Sequence, residues 1–301
     1  MNGADTFPIF VVSAESIIEE EQLGSKDKHW CQLNIEGTEE RWLLKIPRQE
    51  PGKGEHWAEK LAAEIGGLIG VPCAEVQLAR FNEIHATISK TFVETNWALV
   101  HGNEIIGGRV MGYDPQKRRR TSDHTFERIH AAILQTCSQD SCKSDLIQFG
   151  GYIVLDALIA NTDRHHENWG LLRPIRETAG TVHTLAPSFD HASSLGREMR
   201  DERRELILRE NRLDKYILGG GGAVYLEKYG DRPIPPIQLV QEVLQAHPDY
   251  IRPWLSKLRE INTAALDKIF ARMPPDWMTD AQTRFAKALV LRSVDMLSDA
   301  G

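Results

Sequence analysis

No apolar run in this chain approaches the ~20 residues of a membrane-spanning helix. The opening Met1-Asn-Gly-Ala-Asp-Thr also lacks the basic and then apolar stretches of a secretory leader. The expectation is a cytoplasmic protein that makes no use of a membrane. Cysteine is scarce: Cys31, Cys73, Cys137 and Cys142 form no paired framework. Cys137 and Cys142 have no second Cys/His pair at zinc-site spacing, so all four read as reduced thiols. An excess of basic residues is missing too. With 36 Lys and Arg against 43 Asp and Glu, the formal charge is -7, which argues against a protein that coats nucleic acid or a membrane surface. Internal repeats and low-complexity tracts are absent. The 301 residues suffice for one large domain or two lobes with a real core.

The residues present change character along the chain. Short β-prone or alternating segments at 10–12, 30–35 and 42–46 predict strands, with a glycine turn at Gly37 and a stop at Pro47. Over 56–69 the period becomes helical, with Ala58, Leu61, Ala62, Ile65 and Leu68 on one face and Gly70-Val-Pro72 ending it. Strand-like pieces return at 74–78, 86–92 and 97–100, so the first lobe reads as a sheet with one inserted helix. A polar, basic, glycine-bearing tract from Gly107 to Asp123 is the expected connection. Beyond it, 125–137, 144–159, 206–217, 236–246, 250–269 and 280–298 read as helices, and Gly219 to Gly222 as a loop between two of them.

Two segments interrupt the helical pattern and carry the chemistry. In the first, an apolar run feeds Asn161-Thr-Asp163-Arg-His165-His-Glu-Asn168-Trp, and a second apolar run follows. In the second, Leu185-Ala-Pro187-Ser-Phe-Asp190-His-Ala-Ser193 puts another Asp after a short extended piece. Asp-x-x-x-x-Asn alone is common and mostly caps turns. In this context it places two acids and an amide at the ends of elements facing one cleft. Phosphoryl transfer asks for that set, because catalysis there consists of metal-held phosphates and a carboxylate that orients the acceptor hydroxyl. Asp163 would be the base. Asn168 and Asp190 would hold Mg²⁺ through oxygen, the donor that a hard cation prefers. His165 would brace the loop.

Lys45, in Leu-Leu-Lys-Ile, can reach the α/β-phosphates of ATP, with a glutamate of the next helix holding it. Glu55, Glu59 and Glu64 are the candidates, and Glu59 lies among the inward positions. Strand lysines and helix glutamates are usually just solvated; their order ahead of Asp163 favours the functional reading. The expected phosphate loop holds Gly24, Ser25, Lys26 and Lys28 but no G-x-G-x-x-G, and a plain polar turn accounts for it equally well. The backbone after the last strand of the first lobe, at Val100 and His101, is the expected adenine-binding stretch. The rival reading is a hydrolytic metal site built from His165, His166, Glu167 and His191. Adjacent histidines cannot share one helix face, and no H-E-x-x-H is present.

On the Asp163 and Asp190 segments, together with Trp42-Leu-Leu-Lys45 and the helix Ala58-Glu59-Lys-Leu-Ala-Ala-Glu-Ile-Gly66, the chain resembles the HipA-like serine/threonine kinase family. The resemblance covers most of residues 20–260. It implies an α+β, two-lobed protein-kinase-like fold, with a β-rich N-lobe carrying one helix (1–105) and a mainly α-helical C-lobe (106–301). It further implies ATP with Mg²⁺, transfer to Ser/Thr hydroxyls of a protein substrate, and autophosphorylation of a phosphate-loop serine, here Ser25. Well-known members of the family carry an extra N-terminal subdomain and pair with a small DNA-binding antitoxin. About twenty residues precede the loop here, so that subdomain is expected to be missing or encoded separately, as would be any antitoxin-like partner. Direct nucleic-acid binding is not expected. The alternatives are a small-molecule or lipid phosphotransferase on the same fold, with the charged stretch 197–212 as its acceptor surface, and an inactive ATP-binding module.

Overall fold

In a computed structural model, which describes residues 6–21, 27–48, 53–117, 121–176 and 183–299, the alternating segments of the first third become one six-stranded sheet. Its strands are β1 (Ile9–Val12), β2 (Ile17–Glu20), β3 (Asp27–Ile35), β4 (Thr38–Ile46), β5 (Val76–Phe81) and β6 (Ile84–Lys90). The spatial order is β1-β5-β6-β4-β3-β2, antiparallel except for the parallel pair β1–β5. The hairpin β3–β4 turns at Glu36 and Gly37, both at positive φ, with the Gly37 N–H donating to Asn34 Oδ1 at 3.0 Å. Glycine suits that turn because it enters the left-handed region without a Cβ penalty.

Side chains alternate across a strand, and this sorts β4 by function. Trp42 and Leu44 pack with Val12, Cys31, Ala79 and Ile88 in a small core on one face of the sheet. Leu43 and Lys45 therefore face the other way, toward the cleft. The inserted helix α1 (Glu55–Leu68) buries Trp57, Ala58, Leu61, Ala62 and Ile65 in the large core it shares with the helices that follow. Burying each large apolar side chain contributes about 1.5–3 kcal/mol.

The strand at 97–100 was expected to belong to the first sheet. It is β7 (Trp97–His101), and it leaves that sheet to pair with β8 (Gly170–Pro174), which in turn pairs with β9 (Thr184–Leu185). A helix that the residue pattern did not reveal, α2 (Gly102–Arg109), follows directly. Its three glycines are poor helix formers. Gly102 is required there because a Cβ would lie 2.2 Å from the Trp169 ring.

Next come α3 (Phe126–Thr136) and the long α4 (Gln139–Ile159). The expected helix at 206–217 is two, α5 (Asp201–Arg209) and α6 (Leu213–Ile217), broken at Asn211 with φ 49°. The stretch at 250–269 also divides, into α8 (Pro248–Leu255) and α9 (Thr263–Phe270), because Asn262 caps the second helix through the Ala265 N–H. Of these, α3 and α8, together with α7 (Pro236–Ala246) and α10 (Asp280–Ser298), pack around α4. No described helix is long and apolar enough to cross a membrane.

The central place of α4 rests on Gly150 and Gly151. A Cβ on Gly150 would stand 2.2 Å from the Tyr250 carbonyl oxygen, and one on Gly151 would stand 2.7 Å from the Trp254 ring. Gly150→Ala should therefore destabilise the protein by about 1–3 kcal/mol through overpacking, read as a lower thermal midpoint. An unchanged midpoint would show that α8 does not sit this close to α4.

Candidate active site

The Asp163 segment begins where α4 ends. Ala160 closes the helix in the left-handed conformation (φ 50°), and the Asn161 N–H returns to the Asp156 carbonyl at 2.8 Å. The next turn is held by side chains. Asn161 Oδ1 accepts the Asp163 N–H at 3.2 Å, while Asn168 Nδ2 donates to the Asp163 carbonyl at 2.7 Å. The His165 N–H donates to that carbonyl too (2.8 Å), and its ring Nδ1 accepts the Glu167 N–H at 3.2 Å. Both of these His165 contacts lie within the loop.

Arg164, which sequence reasoning passed over, fastens the whole segment. It is 2% exposed and donates Nε and Nη2 to the two carboxylate oxygens of Asp156, both at 2.8 Å. Its Nη1 reaches the Asn168 carbonyl at 2.8 Å and the Phe189 carbonyl at 3.4 Å. One guanidinium therefore ties the end of α4, the Asp163 loop and the segment preceding Asp190. A carboxylate in the last turn of α4, eight residues before Arg164, was the available signal.

Across the cleft, Lys45 Nζ donates to Glu59 at 3.0 Å and stands 3.5 Å from Asp190. Glu59 is 1% exposed. Its two sequence competitors are engaged elsewhere: Glu55 with Arg197 (2.6 Å), and Glu64 with Lys60 (2.7 Å) and Arg272 (3.5 Å). Burial works against the Lys45 ammonium, but the charges of Asp190 and Glu59 outweigh it and hold its pKa above the ordinary lysine range.

Lys28 lies directly opposite Lys45 in the β3–β4 register and donates to Asp190 Oδ2 at 3.2 Å. Facing like charges are unfavourable unless an anion sits between them. Asp190 supplies that anion from a left-handed backbone (φ 57°), which Asp tolerates better than most residues. Gly24, Ser25 and Lys26 lie outside the described residues.

These groups open onto a cavity of about 300 Å³. Lys28, Lys45, Asp163, His165, Asn168 and Asp190 line it, together with Leu43, Leu99 and His101. Val100 does not; it packs against the large core, while the next residue, His101, is fixed by its Nδ1 contact with the Glu167 carbonyl at 2.8 Å. Glu21, Trp30, Glu167, Phe189 and the run 89–93, which sequence reading did not assign to the cleft, complete the wall.

A second cavity, of about 640 Å³, lies on the other side of Asp163. There Ser193 Oγ donates to Asp163 Oδ2 at 3.1 Å and accepts from Arg197 Nη2 at 3.1 Å. The charged stretch after Asp190 contributes Arg197, Arg203 and Arg212 to its wall.

The histidines of the rival metal reading are dispersed. His191 Nε2 meets the Ser188 hydroxyl at 2.7 Å and His166 Nδ1 the Tyr113 hydroxyl at 2.7 Å. No three His, Cys, Asp or Glu residues gather as a metal site among the described residues. His124, another residue the sequence did not mark, supports the loop from behind: its Nε2 accepts the Trp169 indole N–H at 3.0 Å, and its Nδ1 donates to the Ala223 carbonyl at 2.9 Å. Burial pushes its pKa down to about 3.

Sheet, helix and cleft define a two-lobed kinase-like fold. Among solved structures, the Helicobacter pylori proinflammatory kinase CtkA superposes with a TM-score of 0.78 at 18% identity, covering 97% of this chain and 98% of that one. HipA of Shewanella oneidensis MR-1, solved with HipB and operator DNA, gives 0.57 at 14% identity over 93% of this chain and 67% of that one. Residues 21–219 match the HipA-like C-terminal domain, and the chain belongs to this HipA-like kinase family. A curated relative, "Putative kinase Y4dM" of Sinorhizobium fredii, is 26% identical over 177 residues, 54% of this chain. The chain spans 40% of that protein's length.

Two outcomes follow from this geometry. Arg164→Met leaves the Asp156 carboxylate buried without its partner, which should destabilise the protein by about 3–5 kcal/mol in a denaturant titration; a loss under about 1 kcal/mol would mean the pair is not the fastening. His124 binds its proton more weakly folded than unfolded, so its contribution to stability is complete above about 6.5 and is lost as pH falls toward 3. The melting temperature should fall on acidification below pH 6.5, and the His124 ring should remain neutral at pH 5 by NMR. A ring titration midpoint near 6.5 would contradict this.

Proposed function

We propose that this chain is an ATP- and Mg²⁺-dependent kinase that transfers the γ-phosphate to a Ser/Thr hydroxyl of a protein. The observation that carries the reading is the meeting of Lys45, Lys28, Asp163, Asn168 and Asp190 around one cleft, with Lys45 held by a buried glutamate. An anion the size of a triphosphate suits two lysines placed opposite each other on one sheet face. The metal fits the residues present as well. Asp190 already draws two ammonium groups, and the Asn168 amide oxygen, with its Nδ2 committed to the Asp163 carbonyl, takes no hydrogen bond among the described residues.

In this reading, Lys45 binds the α/β-phosphates and Glu59 keeps its ammonium aimed into the cleft. Lys28 adds a second positive group from the neighbouring strand. Asn168 and Asp190 would hold Mg²⁺, which supplies neutralisation of the phosphate oxygens. Asp163 orients the acceptor hydroxyl and takes its proton as the hydroxyl oxygen bonds to the γ-phosphorus and the bond to the β-phosphate breaks. The Ser193 hydroxyl now donated to Asp163 Oδ2 supports the premise that this oxygen receives an O–H. Leu43, Leu99 and the 89–93 backbone would flank the adenine. A separately encoded small partner belongs to the same reading, in parallel with the complex of the Shewanella HipA with HipB, and would copurify with the chain.

Incubation with γ-labelled ATP tests the mechanism. Asp163→Asn and Asp190→Asn should each lower protein-bound label by about 10²-fold or more, and mapping should place the phosphate on serine or threonine, with Ser25 as the expected site of self-modification. Lys45→Met should also abolish the thermal shift produced by Mg-ATP. Label that is unchanged in both aspartate variants sinks the mechanism, and label found only on a small alcohol points to a small-molecule phosphotransferase.

A further inference from the structure

Asp163 is the only residue that borders both cavities among the described residues. If the nucleotide enters from the smaller one, the acceptor hydroxyl must arrive through the larger, and its wall then determines what can be phosphorylated. We propose that this second cavity is an acceptor subsite selective for an acidic peptide segment, with Arg203 and Lys215 as its specificity-determining residues. The proposal rests on the kinase reading above.

The charge balance singles out these two side chains. Four cations line the cavity, but Arg197 is taken by Glu55 at 2.6 Å and Arg212 by Glu210 at 2.7 Å. Arg203 on α5 and Lys215 on α6 are exposed and have no carboxylate within ion-pair distance among the described residues. The acidic residues of the wall are Asp163 and Glu198. Glu198 accepts the Tyr216 hydroxyl at 2.8 Å and also lies in the field of the buried Arg204. Two uncompensated positive groups thus flank the path to Asp163, and acidic residues beside the acceptor hydroxyl would complete them.

Shape favours a chain segment over a small anionic alcohol. The cavity has about 640 Å³, roughly twice the nucleotide cleft's 300 Å³, and a small alcohol would leave most of it wet. Part of its wall is bare backbone at Gly219 and Gly220, where a peptide can approach closely. Gly220 is held near Thr162, whose methyl would lie 3.1 Å from an added Cβ, so this backbone wall stands next to the Asp163 loop. Ile207, Ile217 and Pro236, all buried, supply the apolar part of its lining.

Fluorescence anisotropy decides the matter, using a serine peptide flanked by glutamates and its counterpart flanked by lysines, each with the full chain, Mg²⁺ and a non-hydrolysable ATP analogue. The acidic peptide should bind at least about tenfold tighter. The preference should shrink as salt rises and vanish in Arg203→Glu/Lys215→Glu, while the Mg-ATP thermal shift stays as in the unmodified chain. The milder Arg203→Gln/Lys215→Gln should fall between the two. Equal affinity for both peptides, no binding of either, or a preference that survives the charge reversal would overturn the proposal. Binding that depends on both residues but leads to no Asp163-dependent phosphate transfer would keep the acidic-peptide site and overturn the kinase reading instead.

Discussion

The buried Asp156–Arg164 pair is the interaction on which the rest of the site depends. Taking two charges out of water is expensive, and the attraction compensates only if every remaining donor and acceptor is used. Here the guanidinium fork meets both carboxylate oxygens, and its remaining nitrogen serves two backbone carbonyls. Asp156 also receives the Asn161 amide at 2.7 Å. These carbonyls belong to Asn168 and Phe189, so the pair sets the Asp163 loop and the Asp190 segment at a fixed distance. An apolar pair would pack the core at least as well, but it could not align two loops.

Helix α1 performs the corresponding task for the sheet. Its three glutamates go to three different parts of the molecule: Glu55 to Arg197 beyond the Asp190 segment, Glu59 to Lys45 on β4, and Glu64 to Lys60 and Arg272. Behind the helix, backbone bonds between Pro72 and Ser188 (2.8 Å) and between Ala74 and Ser188 (2.9 Å) join the two functional halves again. The electrostatics of the cleft follow from this lacing. Lys28, Lys45 and Asp190 are held close enough that the carboxylate balances both ammonium groups, and a polyanionic ligand would exchange one set of attractions for another.

Much of this was legible in the residues. The strand ending at Pro47 carried Lys45, helical spacing placed Glu59 among the inward positions, and the Asp163 and Asp190 segments marked themselves as polar interruptions between apolar runs. The site's supports were not legible. Arg164 and His124 are ordinary polar residues until burial gives each of them two or more fixed partners. The glycines of α2 concealed a helix, and β7 carried nothing in its pattern to say which sheet it would join, because a half-buried strand reads alike in either. Val100 was named for its backbone, and its side chain packs against the large core, since one step along a strand reverses the side chain's face.

The order of residue types alone determined that this protein would have a strand-rich part, a helical part, and a lysine, a glutamate and two aspartates in kinase-like succession. Those are properties of local period and of the chain's own order. Only the tertiary structure decided which glutamate meets Lys45, that Lys28 stands opposite it, and that Asp163 borders two cavities with different walls. These are distances between residues up to 162 positions apart, and no local preference encodes them; packing around α4 and the buried Arg164 does.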